Sequence, residues 1–177
     1  IDHVDYRLEF AERYAQCEAV NFRSIGDPVV FIKTVTDSLG ADVCIDAVGC
    51  EAAGNTMNSL LGRYLMLQGG STTALHWAIN SVKKGGIVSI VGVYGPTNSL
   101  VPIGNVLNKG ITIRANQASV KRLLPKLIQH VKDGVINPKE LITHRVPLEE
   151  VGDAYHLFSS KLDHCIKTVL IPPSASI

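Results

Sequence analysis

The chain has very little of what marks most specialised sites. Of its 177 residues only 6% are aromatic, with a single tryptophan, and the two signs of charge nearly cancel to a net +1. That balance offers no electrostatic footprint for a nucleic acid or an anionic membrane surface, so neither partner is expected. No apolar run reaches the roughly 18 residues that a membrane span needs. No signal-peptide pattern is seen either, which leaves a cytoplasmic location as the expectation. The four cysteines, Cys17, Cys44, Cys50 and Cys165, contain no C-x-x-C pair, and the six histidines contain no H-x-x-x-H. A metal site within the chain is therefore not expected. Cys44 and Cys165 sit in apolar, strand-like runs and read as buried free thiols.

What is present is the composition of a globular domain, 46% hydrophobic and 19% charged, at a length that fits about one domain. Ile1–Asp2 reads as the end of a strand, followed at once by a helical pattern. CEAVNF (17–22) reads as a short strand. DPVVFIKTVTDSLG (27–40) predicts a helix with Asp27 as N-cap, Pro28 at the first helical position and Gly40 as terminator. DVCIDAVG (42–49) is a buried strand, and the order of 51–73 is left open. ALHWAINSVKK predicts a helix that closes on two lysines and Gly85-Gly86, with Ser71, Thr72 or Thr73 as cap.

IVSIVGVYG (87–95) and ITIRAN (111–116) are further strands. SVKRLLPKLIQHVKDG (119–134) is an amphipathic helix with Leu123, Leu124, Leu127, Ile128 and Val131 on one face and Pro125 as a kink. LITHRV, then helix LEEVGDAYHLFSSK (148–161), then strand HCIKTVLI (164–171) complete the pattern, and the tail PPSASI is expected to fray. Short apolar strands alternating with helices predict a doubly wound α/β class: a mostly parallel sheet covered by helices on both faces.

In such a sheet ligands gather at the carboxyl ends of the strands. Asp2 stands at one such end, where an acid can accept hydrogen bonds from ribose hydroxyls and repel a 2′-phosphate, or can simply cap a helix. Arg7 can reach the same ribose. Gly49 can let backbone approach a flat ligand or serve a plain turn. Gly92, Val93 and Tyr94, in VGVYG, suit a chain passing beside a ring. Ala115, Asn116 and Gln117 close another strand with polar groups, as an ordinary loop also does. Lys167, in an apolar strand, is either an edge gatekeeper or a cation aimed at a phosphate.

Taken together, IDHVDYRL, GADVCIDAVG, KKGGIVSIVGVYG, NKGITIRANQ and HCIKTVLIP resemble the carboxyl-terminal part of the zinc-dependent medium-chain alcohol dehydrogenases, in the formaldehyde, threonine and polyol dehydrogenase-like branch. The likeness covers essentially the whole chain, and EAAGNTMNSLLGRYLMLQGGSTTALHWAI looks like an insertion of one subgroup. The resemblance implies a cofactor domain over 1–142 and a carboxyl-terminal segment over 143–177 that returns towards a catalytic domain. It implies NAD, in preference to NADP, with Asp2 and Arg7 at the adenosine ribose and Lys167 at the pyrophosphate. Gly49, Gly92, Val93 and Tyr94 would lie on the nicotinamide side, with Ala115–Gln117 near the carboxamide. It also implies a homo-oligomer, dimer or tetramer, with strand 111–116 or the loop before it at a two-fold interface.

Against the family pattern, the first strand, the glycine-rich phosphate loop, the zinc ligands and the proton relay are not found in these residues. The resemblance therefore implies a portion of an alcohol or aldehyde dehydrogenase that begins at the second strand of its cofactor domain. Zinc would act in the complete enzyme and not bind here; this portion alone would bind NAD weakly and turn nothing over. Three other readings stay open: a zinc-free quinone or enoyl reductase of the same superfamily, a methyltransferase, and a non-catalytic nucleotide-binding module.

Overall fold

A computed structural model of the chain describes residues 1–49, 72–94 and 101–173. Cys50, Gly95, most of segment 51–73 and the last four residues of the tail lie outside them. The chain divides into two compact units, Phe22–Ser119 and Ile1–Asn21 with Val120–Ile177.

The unit Phe22–Ser119 is built on a three-stranded parallel sheet of β1 (Ala41–Asp46), β2 (Val82–Ile90) and β3 (Thr112–Ala115), in that order. Its helices are α2 (Phe22–Ile25), α3 (Pro28–Val35), α4 (Thr73–Ser81) and α5 (Ile103–Lys109). As expected, Asp27 caps α3, its Oδ1 accepting from the Val29 amide at 2.7 Å, with Pro28 in the first turn. The helix stops at Val35, well before Gly40, because Asp37 and Ser38 turn into the left-handed region (φ 49° and 67°). Helix α4 packs on β1, β2, α3 and α5. Leu75, Ala78 and Ile79 from α4, Val82 and Val88 from β2, and Ile111 form the core. On β1 the alternation is visible: Cys44 packs against that core, while Val43 and Ile45 are 49% and 67% exposed.

One expectation fails in an informative way. The helix before Gly85-Gly86 does not close on Lys83 and Lys84; it ends at Ser81, and Val82 starts β2 directly. Val82 is 1% exposed, so the core claims it, and the lysines become strand residues. Lys83 pairs with the exposed Asp42. Gly86 allows this approach, since a Cβ there would meet a Val82 methyl at 2.6 Å and the Asp42 carbonyl at 2.9 Å. The cation at the end of α4 is Lys109 instead, whose Nζ donates to the carbonyls of Ile79, Asn80 and Val82 at 2.9, 2.8 and 2.7 Å. Favourable charge at a helix C-terminus is thus supplied from a distant point in the chain.

The other unit contains α1 (Asp5–Ala15), α6 (Val120–Lys132), α7 (Val151–Ser159) and a two-stranded parallel ladder of β4 (His144–Pro147) and β5 (Thr168–Ile171). The strand expected at 17–22 is reduced to a single parallel bridge between Asp2 and Asn21. The strand expected over 164–171 starts at Thr168, because Lys161, Asp163 and His164 all take positive φ (56°, 47° and 53°). Helix α6 runs through Pro125, and its apolar stripe is half exposed, with Leu127 at 45%. Helix α7 is preceded by a 3-10 turn at Leu148–Glu150. Helix α1 is held by Tyr6, which stacks on His164 at 5.1 Å, while Phe10 stacks on Tyr14 within the helix at 5.3 Å. The Tyr6 hydroxyl donates to the Cys165 carbonyl at 3.1 Å, and the Tyr14 hydroxyl accepts from the Asn137 amide at 3.1 Å.

All strand pairs among the described residues are parallel. The alternating strand–helix order of an α/β protein is therefore present, with the described strands divided between two sheets where the sequence predicts one. Cys165 is a fully buried free thiol and Cys44 a partly buried one, while Cys17 is exposed.

Candidate functional site

The register of the three-stranded sheet places its strand ends at one level. Asp46 pairs with Ile90, and Ile90 with Ala115. Each chain then leaves the sheet at the same edge: Ala47–Gly49 after β1, Val91–Tyr94 after β2, Asn116 and Gln117 after β3. Five sequence-predicted positions, Gly49, Gly92, Val93, Tyr94 and Ala115, thus fall along one sheet edge together with the two residues that follow Ala115.

The β1 and β2 loops are tied to each other by backbone. The amides of Val91 and Gly92 both donate to the Asp46 carbonyl at 2.8 Å, and Val93 donates to the Val48 carbonyl at 3.2 Å. Gly92 is demanded by this closeness: a Cβ would stand 2.7 Å from the Val48 carbonyl and 3.1 Å from Asp46 Oδ1. Gly49 differs. A Cβ on it would meet nothing within 4 Å, and its φ is not positive. Among the described residues, neither backbone strain nor packing calls for glycine there.

Sequence reasoning missed Asp46. It is 2% exposed, its Oδ1 accepts from the Val48 amide at 3.1 Å, and its other carboxylate oxygen accepts from the Tyr94 hydroxyl. Burial and the adjoining carboxylate push the Tyr94 phenol well above its ordinary pKa. The signal was legible, since an acid enclosed by the apolar residues of VCIDAV is seldom buried without partners. Burial raises the Cys44 thiol as well, with Lys109 acting in the opposite direction. Near the third strand end, the Asn116 side-chain amide donates to Ser119 Oγ at 3.3 Å.

Asp2, Arg7 and Lys167 fall in the other unit. Asp2 Oδ1 accepts from the amides of His3 and Val4 at 2.6 and 3.3 Å, a local turn ahead of α1. Arg7 lies in the first turn of α1 with its guanidinium 5.9 Å from the Tyr6 ring centre. Lys167 stands just before β5, not inside a strand, and its carbonyl accepts from the amides of Thr143 and His144 at 3.0 and 3.2 Å. It borders a groove of about 250 Å³ with Tyr155, Phe158, Thr168 and Leu170. A second groove of about 280 Å³, beside α1, is lined by Tyr6, Phe10, Arg13, Glu140 and His164. Among the described residues, no three His, Cys, Asp or Glu side chains converge as metal ligands would, and no helix is long and apolar enough to cross a membrane.

Parallel strands, crossover helices and aligned strand ends define an α/β protein of the doubly wound class. Comparison with known proteins carries the assignment further. No family model matches the chain. It is 38% identical over 172 residues to the uncharacterized zinc-type alcohol dehydrogenase-like protein AdhB of Bacillus subtilis, covering 97% of this chain and 45% of that protein. It is 31% identical over 185 aligned positions to L-threonine 3-dehydrogenase of Caldanaerobacter subterraneus, covering 97% of this chain and 43% of that one. Among solved structures, alcohol dehydrogenase TADH from Thermus sp. ATN1 matches with a TM-score of 0.75 at 26% identity, over 97% of this chain and 42% of that chain. The chain is therefore similar to zinc-type alcohol dehydrogenase-like proteins, and it spans less than half the length of these relatives.

Proposed function

We propose that the chain is the NAD-binding portion of a zinc-type dehydrogenase acting on an alcohol or aldehyde, corresponding to the carboxyl-terminal part of such an enzyme. The observation that carries this reading is the sheet edge at Asp46, Ile90 and Ala115, where three successive strand ends stand level and the loops after β1 and β2 are bonded backbone to backbone. A flat ring can approach backbone closely only where no Cβ intervenes. Bound there, NAD supplies hydride transfer, and the protein's part is to bind and orient it.

Within the unit Phe22–Ser119 we assign Gly49, Gly92, Val93 and Tyr94 to the nicotinamide side and Ala115, Asn116 and Gln117 to its carboxamide. In the other unit Asp2 and Arg7 are assigned to the adenosine ribose and Lys167 to the pyrophosphate. The side chain of Asp2 is 38% exposed, which leaves a carboxylate at the surface to meet hydroxyl groups and to repel a 2′-phosphate. The preference for NAD over NADP follows from that charge. The chain's own residues hold and orient; we assign none of them to proton transfer, and the described ones offer no zinc site. As the family likeness implies, a polypeptide of these 177 residues alone is expected to bind NAD weakly and to turn over no alcohol. Its cytoplasmic location, its assembly as a dimer or tetramer and a division near residue 142 belong to the same proposal, as what the family likeness implies.

Titrating NADH and NADPH into the chain and into its Asp2→Asn variant, with nucleotide fluorescence as readout, tests this. NADH should bind the wild type more tightly, and the variant should narrow the gap by about tenfold, the equivalent of roughly 1.4 kcal/mol. No binding of either nucleotide at millimolar concentration would overturn the reading. Turnover of any alcohol by the 177-residue polypeptide would overturn the division of labour.

A further inference from the structure

The two loops assigned to the nicotinamide side share one buried acid, and that acid has no task in the reading above. Asp46 is 2% exposed at the end of β1, and its carboxylate and carbonyl both take partners from the loops beyond the sheet edge. Its carboxylate accepts from the Val48 amide and the Tyr94 hydroxyl. Its own carbonyl accepts from the amides of Val91 and Gly92. Four donors from 48–94 thus converge on one residue, and both loops are fixed to it at once.

The consequence for Tyr94 is specific. Its ring packs against the core, and its hydroxyl is spent on Asp46. A phenol held this way offers a ligand its ring, and not a free donor. Charge-assisted bonds to a carboxylate are about twice as strong as neutral ones, so this latch adds to the three backbone hydrogen bonds that hold the β2 loop. Gly92 adds a steric reason for the same arrangement, because the loops are too close for a Cβ between them.

Resting on the NAD-binding reading, we propose that Asp46 is a positioning residue for the nicotinamide half of the dinucleotide. By holding the Tyr94 hydroxyl and the Val48 amide it sets the loops 46–49 and 91–94 in their binding arrangement before the ligand arrives. Preorganisation of this kind shows as affinity, because the ligand does not bear the ordering cost of the loops. It acts on the nicotinamide half alone, since the latch touches only these two loops.

The test compares NADH with ADP-ribose, which lacks the nicotinamide, on the protein expressed from its natural reading frame. Wild type, Asp46→Asn, Asp46→Ala and Tyr94→Phe are each titrated with both ligands, and folding is checked by far-UV circular dichroism. NADH affinity should fall about tenfold in Tyr94→Phe and Asp46→Ala and by less in Asp46→Asn, which keeps an acceptor, while ADP-ribose affinity stays unchanged. A residue that only holds the fold together would weaken both ligands alike, and that result overturns the proposal. Tyr94→Phe keeps ring and volume and so carries the test even if Asp46→Ala does not fold. Folded variants that bind NADH as the wild type does overturn the assignment of Asp46 alone. A wild type that binds neither ligand overturns the NAD-binding reading, and this assignment with it.

Discussion

The two units of this chain are held together by different physics. In Phe22–Ser119 the side chains of Ile79, Val82 and Val88 are at most 1% exposed, and they sit among Leu75, Ala78 and Ile111 in one continuous core. Among the described residues of the other unit the buried hydrophobic ones are Ala154 and Cys165, both small. What ties α1 down there is directional: the stack of Tyr6 on His164, and two tyrosine hydroxyls bonded to backbone more than 100 residues away in sequence. A core tolerates no loss of volume, whereas a stacked and hydrogen-bonded seam loses its contacts one at a time. The difference teaches where each unit is vulnerable.

The comparison is sharpest at Ile79, which is fully buried. Ile79→Ala should cost about 2–5 kcal/mol, read as a lowered urea midpoint, because it removes buried methyl groups and leaves a cavity. Lys109→Met comes next. It strips the charged donor from the carbonyls of Ile79, Asn80 and Val82 and should cost about 2 kcal/mol in the same measurement. Tyr6→Phe keeps the ring on His164 and loses only the bond to the Cys165 carbonyl, so about 1 kcal/mol is expected. A Tyr6→Phe cost as large as that of Ile79→Ala would break the contrast between core and seam.

The smallest effect belongs to Asp42, whose carboxyl is held below its ordinary pKa by the hydrogen bond from Lys83 and by that lysine's charge. A carboxylate with a depressed folded pKa contributes stability that is full above its unfolded pKa, about 4, and is lost as pH falls through the lower folded value. Asp42→Asn should therefore leave stability at pH 7 without measurable change, because the pair is exposed, and slightly flatten the loss on acidification below pH 4. Added salt should erase even that difference. A clear loss of stability at pH 7 would show the pair to be more than a solvated contact.

Some residues carried their structural role in full view. Asp27 and Pro28 announce a helix start because a cap and a fixed φ act on their own neighbours, and both act as read. The glycines and polar residues at strand ends were legible for a similar reason: an apolar run that stops must leave the sheet there. Lys83 and Lys84 looked like the end of a helix by charge and by the glycines after them. That reading failed because Val82 is worth more in the core than in another helical turn. Asp46 shows the reverse case. It was visible as an odd acid in an apolar run, but its partners Val48 and Tyr94 come from two different strand ends.

By itself, then, the sequence determined the class: parallel α/β, from the alternation of apolar strand runs with capped, amphipathic helices, and the positions where chain leaves sheet. These are set by interactions within a few residues, which a pattern records. Only the tertiary structure decided that Lys109 closes α4 in place of its neighbours, that Gly92 has no room for a side chain, and that Asp46 joins two loops. Each of those depends on groups brought together by strand register. Register is fixed by the packing of a whole core, and no local window of sequence contains it.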